Sequence, residues 1–231
     1  MIIIGLILAV HFALWITSLK LTSIASSVIL VSVHPIIVGP VSHYFFKEKL
    51  SIINLIGILL SIFGVIILVY GNYGFLSLTI DSIEGNILAF LGGIAAGLYI
   101  LGGRKTRKKI SIIPYVFIVY SSSTISLFII CIIFNSQLYN LNIIDYKLIL
   151  LMAIVSGIFG HTVYNWVLKY IRTSIVSVAL LGEPLASTVF AIIIPWINQV
   201  HSIYTIFGGV IILSGIYMTT KSCTFKINLK N

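Results

Sequence analysis

The chain alternates long uncharged runs with short charged or polar interruptions. Met1–Leu19 ends at Lys20, and Leu21–Phe46 ends at Lys47-Glu48-Lys49. Ser51–Tyr70 runs into the turn Gly71-Asn72-Tyr73-Gly74. Gly85–Gly103 follows Asp81 and Glu84 and meets the basic run Arg104–Lys109. Ser111–Phe134 leads into an asparagine-rich connection. Lys147–Leu168, Thr173–Trp196 and Ser202–Thr220 complete the series. Each run approaches the roughly 20 residues that a helix needs to cross the hydrocarbon core at about 1.5 Å per residue. Within lipid every backbone polar group needs an internal partner, so runs of this length predict helices. The pattern predicts an all-α integral membrane protein with eight transmembrane helices.

Composition agrees. Hydrophobic residues make up 59% of the 231 residues and charged residues only 8%. A soluble domain carries about 25% charged residues. The balance excludes a soluble enzyme, a disordered tail and a disulfide scaffold. The net charge of +9 does not point to nucleic acid, because the basic residues sit in short clusters between apolar runs. Of the 14 lysines and arginines, all but Lys20 and Lys147 fall on one side of the membrane if the eight runs alternate in direction. That asymmetry predicts cytoplasmic N- and C-termini. The N-terminus lacks the basic start of a signal peptide and reads as a spanning helix.

The chain also repeats itself. Thr22-Ser23, Ser51, Gly57 and Gly64 recur 151 residues later as Thr173-Ser174, Ser202, Gly208 and Gly215. Leu19-Lys20 and Pro35 recur 149 residues later as Leu168-Lys169 and Pro184. The repeat carries the first run onto the sixth, a step of five crossings. An odd step inverts the second copy, which makes a partial inverted repeat of 3 + 5 helices. Such repeats are a recurring plan for secondary transporters that rock between two states.

The candidate chemistry lies at matched places in the two copies. Pro35 and Pro184 each remove a backbone donor in mid-span, freeing carbonyls near Val31 and Leu180. Interrupted helices at corresponding positions point to a midplane binding site. His34 precedes the first proline and Glu183 the second. Glu183 is the one carboxylate inside an apolar run, where a charge costs at least about 2.5 kcal/mol, so a cavity or a partner is expected to receive it. A protonatable group there suits proton coupling. In the sixth run His161, Tyr164 and Asn165 share one helix face, and in the first His11 and Trp15 do. These nine residues, Glu183, His34, Pro35, Pro184, His161, Tyr164, Asn165, His11 and Trp15, form the expected substrate pathway. Gly93, Gly97 and the repeated glycines read as packing positions. Cys131 and Cys223 have no metal-ligand spacing. No metal site, cofactor or catalytic residue is expected, and neither a zinc-protease motif nor a hydrolase serine elbow is present.

Taken in order, these features resemble the EamA-like transporters of the drug/metabolite transporter superfamily. The resemblance rests on Trp15–Lys20, Pro35, Glu48 in Phe-Phe-Lys-Glu-Lys-Leu-Ser and Gly57–Gly64. It continues through Gly85-Asn86, Asn165-Trp166, Gly182-Glu183-Pro184 and Gly208–Gly215. It implies a partial first repeat over residues 1–72, a second repeat over 83–221 and a cytoplasmic tail over 222–231. Family members have ten helices, five per repeat, and this chain matches the third to the tenth. A fragment, a misplaced start and a shortened relative all fit that difference. Asn198-Gln199 stands where the family carries a second glutamate, so Glu48 has no clear second copy. The resemblance implies a multi-pass inner-membrane transporter of small polar metabolites, with amino acids or drugs among the substrates. Protons, the lipid bilayer and a second copy in a homodimer are the expected partners. The rival readings are a truncated, non-transporting membrane subunit and an intramembrane enzyme.

Overall fold

The computed structural model describes residues 1–73, 82–136, 138–193 and 202–221. They are helical, with no strand among the described residues. The first half comprises α1 (Ile2–Leu21), α2 (Ile24–Val31), α3 (His34–Phe46) and α4 (Ile52–Tyr73). Then come α5 (Ile83–Arg107), α6 (Ile112–Ile133) and a long sixth span, Ile143–Val167. That span begins as α7 (Ile143–Met152), widens to π-type hydrogen bonding over Ala153–Thr162 and ends as α8 (Val163–Val167). The remaining helices are α9 (Thr173–Leu180), α10 (Glu183–Ile193) and α11 (Ile203–Lys221). Among the described residues seven helices are long and apolar enough to span, and Thr173–Val189 is a shorter eighth. The tail, Cys223, Asp81 and Asn198-Gln199 lie outside the described residues.

The matched prolines break their spans as the sequence predicts. α2 stops at Val31 and α3 starts at His34, with one tight turn between them in which Val33 N–H donates to Leu30 O. α9 stops at Leu180 and α10 starts at Glu183, across a turn in which Leu181 and Gly182 N–H donate to Val178 and Ala179 O. In each half proline is the second residue of the resumed helix. There its missing N–H costs no helical hydrogen bond and its fixed φ suits a helix start.

The core is built on the crossing of α4 and α11. A Cβ added at Gly57 would lie 2.7 Å from Gly215 O, and one at Gly64 would lie 2.9 Å from Gly208 O. Two repeated glycines of one helix thus meet two of the other in reversed order, so the helices run antiparallel. Between the two contacts Ser61 Oγ donates to Ile212 O at 3.4 Å, a separation of 151 residues. A residue touching its own repeat partner marks the pseudo-two-fold axis. Small residues are needed here because backbone-to-backbone packing, rather than hydrophobic transfer, drives association in lipid. Ile58, Ile62, Val65 and Leu68 of α4 complete this core with Val178, Leu181 and Ile212, flanked by Ala25 of α2.

The basic segments gather at one end. Arg172 Nη1 donates to Lys49 O, Arg104 Nη1 donates to Lys169 O, and Asn54 Nδ2 donates to Thr219 O at 2.7 Å. Lys20 closes α1 at the other end, where neighbouring Thr22 donates to Asn86 Oδ1 at the start of α5. The repeat partners Lys20 and Lys169 therefore lie at opposite ends. Single cysteines at these two positions, with Cys131 and Cys223 replaced, are expected to react with an impermeant maleimide from opposite faces of the membrane. Labelling from the same face would contradict the inversion.

Candidate functional site

α5 is the helix on which the candidate site is assembled. Its face is stripped of side chains where other spans cross it. Gly92 faces Trp15 and Gly97 faces His34, while a Cβ at Gly93 would lie 2.8 Å from Val31 O, the carbonyl of the last residue of α2. Glycine at 93 thus lets α5 approach the break in the second span. His11 Nδ1 bonds Gly92 O at 2.9 Å and its ring stacks on Trp15 at 5.9 Å. His34 and Pro35 are buried. His34 Nδ1 and Trp15 Nε1 are buried with no hydrogen-bond partner among the described residues. Buried polar groups are normally paired, and Tyr115 OH and Asn165 Oδ1 are likewise buried with no partner among the described residues.

The sixth span brings the second group of candidates to the same helix. Tyr164 OH bonds His161 Nδ1 at 3.1 Å. Asn165 is fully buried and its Nδ2 donates to Tyr99 OH at 2.7 Å and to His161 O at 2.6 Å. The His161 ring lies 5.4 Å from Phe12, next to His11, and 6.3 Å from Tyr99. The π-type segment ends at Thr162, whose hydroxyl lies 3.2 Å from Tyr120 OH. π-bulges often sit at functional sites because the wider turn re-aims side chains. Spans one and six, far apart in sequence, therefore meet in one aromatic and polar cluster, and α3 reaches the same helix through His34.

Glu183 and Pro184 are placed differently. Glu183 opens α10 and is exposed, with no hydrogen bond or ion pair among the described residues. Pro184 O accepts from Ser187 and Thr188 hydroxyls. No described contact joins Glu183 to the aromatic cluster. The repeat explains the difference. At the offset of 149, His11, Trp15, Leu30 and Val31 correspond to Gly160, Tyr164, Ala179 and Leu180. The first four hold α5, whereas the second four line an open apolar groove. His34 is buried under α5; its counterpart Glu183 is exposed, with no helix covering it among the described residues.

Sequence reading missed Tyr99, Phe12 and the roles of Glu48 and Arg104. Tyr99 could have been found as the large polar residue in the small-residue stretch Gly92–Gly103. At the basic end Lys47 adopts the left-handed conformation (φ 54°) and turns the chain so that Glu48 points inward. Glu48 Oε1 accepts from Arg104 Nε at 2.9 Å, and both residues are 8% exposed. Glu48 Oε2 accepts from Thr173 N–H at 2.8 Å at the first turn of α9. Arg104 Nη1 donates to Leu168 O at 2.5 Å. Among the described residues no group of histidine, cysteine and carboxylate has the arrangement of a metal site.

The fold and this geometry define a multi-pass membrane protein of two inverted units crossing at a glycine-lined axis. Comparison with known proteins gives its kinship. The model of the EamA-like transporter family matches residues 1–70 and 83–221, and the chain belongs to that family. It is similar to the uncharacterized transporter YdfC of Bacillus subtilis (strain 168), 20% identical over 200 residues. That alignment covers 87% of this chain and 63% of YdfC, so the chain spans less than two thirds of its relative's length. A solved crystal structure superposes with a TM-score of 0.74 at 16% identity, over 93% of this chain and 73% of that one. That likeness is one of fold.

Proposed function

We propose that this protein is a secondary transporter that moves small polar metabolites by alternating access of its two inverted units. The observation that carries the reading is a departure from the pseudo-symmetry. α3 packs along α9 at the basic end, whereas their repeat counterparts, α10 and α2, have no comparable contact among the described residues at the other end. A symmetric pair closed on one side and parted on the other is what an alternating-access protein needs. The positive-inside rule makes the closed, basic end cytoplasmic. The proposed location is thus the inner membrane, with both termini inside and the substrate entering from outside. Relatedness to a protein named as a transporter supports the same reading.

The aromatic and polar cluster of His11, Trp15, His34, Tyr99, His161 and Tyr164 is the proposed substrate face. It offers rings for stacking and hydrogen-bonding nitrogens and hydroxyls but no fixed charge. It therefore suits neutral or zwitterionic polar solutes. Glu183 is the proposed proton-coupling group, since intramembrane carboxyls commonly mark proton paths. The test is uptake into liposomes across an imposed pH gradient, with a panel of amino acids and other small metabolites. Glu183→Gln is expected to reduce proton-driven uptake at least tenfold while the purified protein keeps its elution profile and helicity. Full gradient-driven uptake in that variant would remove the coupling role. No uptake of any solute by the native protein would remove the transport reading.

A further inference from the structure

Three chain segments distant in sequence meet at Glu48. The carboxylate takes Arg104 from the end of α5, and it takes the Thr173 N–H and hydroxyl, at 2.8 and 3.2 Å, from the start of α9. Arg104 in turn holds the carbonyls that end the sixth span, Leu168 O and Lys169 O. Arg172 Nη1 adds a bond to Lys49 O. Glu48 belongs to the first unit and every partner of its carboxylate to the second. The contacts also sit where α3 and α9 pack together. Val38 of α3, Ile100 and Leu101 of α5, Leu168 just after α8 and Val176 of α9 form the apolar layer beneath them. A carboxylate at the N-terminus of α9 is stabilised by the free N–H groups of that turn and by the helix dipole. Arg104 satisfies the opposite need, because unpaired carbonyls end the sixth span.

From this we propose that Glu48, Arg104 and Thr173 form a clasp that holds the basic end shut. The clasp must part each time the two units rock to open that end. It is positioned to set the balance between the two states. A brace within one unit would survive rocking unchanged. This one bridges the units, so α3 and α9 cannot separate without breaking the Glu48 contacts. The proposal rests on the alternating-access reading above, but its test reads conformation rather than transport.

The reporter is Ser177, a fully buried residue one turn into α9, replaced by cysteine in a full-length chain with Cys131→Ala and Cys223→Ala. Labelling by a bulky maleimide is followed in inside-out membrane vesicles, which expose the basic end. Glu48→Gln and Arg104→Gln are each expected to raise the labelling rate at least tenfold. A control cysteine at Ile62, buried beside the α4–α11 crossing, is expected to stay unlabelled. Thr173→Val, which removes only the hydroxyl contact, gives a smaller rise and serves where a charge variant also exposes the Ile62 control. An unchanged Ser177→Cys rate in the Thr173 variant and in every charge variant whose control stays protected would overturn the clasp. A raised rate in a protein that carries no solute would uphold the clasp and sink the transport reading instead.

Discussion

Gly208→Leu is expected to abolish the folded protein. A Cβ at this position would stand 2.7 Å from both Gly64 O and Leu68 Cα, and closer still to Leu68 N. These are backbone atoms of a helix, so no rotamer change can make room. Overpacking a core with side-chain neighbours costs about 1–3 kcal/mol, and a backbone obstruction lies at the top of that range or above it. The pseudo-symmetry makes a second prediction of the same kind. Gly57→Leu meets Gly215 O at 2.7 Å and should fail equally, since the two glycines occupy equivalent places about one axis. Gly157 is the control, because a Cβ there has nothing within 4 Å. Expression in membranes, elution in mild detergent and thermal stability give the readout. Gly157→Ala should match the native protein, and the other two should be recovered as aggregate or not at all. Native-like behaviour of Gly208→Leu would mean that α4 and α11 do not cross at their glycines.

The four glycines were legible in the sequence as packing positions, since a glycine pair recurring at a fixed offset has few other uses in apolar helices, but which helices they join was not. The span count, the proline interruptions and the asymmetry of basic residues were legible for similar reasons. Each follows from chain-local rules about length, missing N–H groups and charge. What escaped was everything that depends on which element covers which. His34 and Glu183 occupy equivalent places, yet one is buried against Gly97 and the other is exposed. Local sequence treats them alike, because burial is decided by a helix some 60 residues further on. The π-type stretch Ala153–Thr162 left no mark either, as its residues fit an ordinary helix equally well. Arg104 was hidden by its neighbours. In a run of basic residues one member that turns inward to a carboxylate reads like the rest, and its partner lies 56 residues away.

A double-mutant cycle at that partner pair is the second large effect. Glu48→Ala leaves Arg104 buried with an unmatched charge, although it keeps the carbonyls of Leu168 and Lys169. Arg104→Ala leaves the Glu48 carboxylate with only the N–H and hydroxyl of Thr173. Removing one member of a buried pair typically costs about 3–5 kcal/mol, because the survivor stays desolvated without its counter-charge. Replacing both members removes the stranded charge, so the double variant should be less damaged than the sum of the singles by about 2 kcal/mol or more. Arg104→Ala should be the worse single change, since it also frees two carbonyls that end the sixth span. Thermal unfolding in detergent, with the Ile62 cysteine as an independent monitor of the core, measures all four corners of the cycle. Strict additivity would mean that the two side chains act separately. Strong coupling in stability together with raised Ser177→Cys labelling would identify the pair as the contact that both holds the units together and has to open. A bundle that relies on such a pair trades stability at one end for a defined closed state, and the cycle measures the size of that trade.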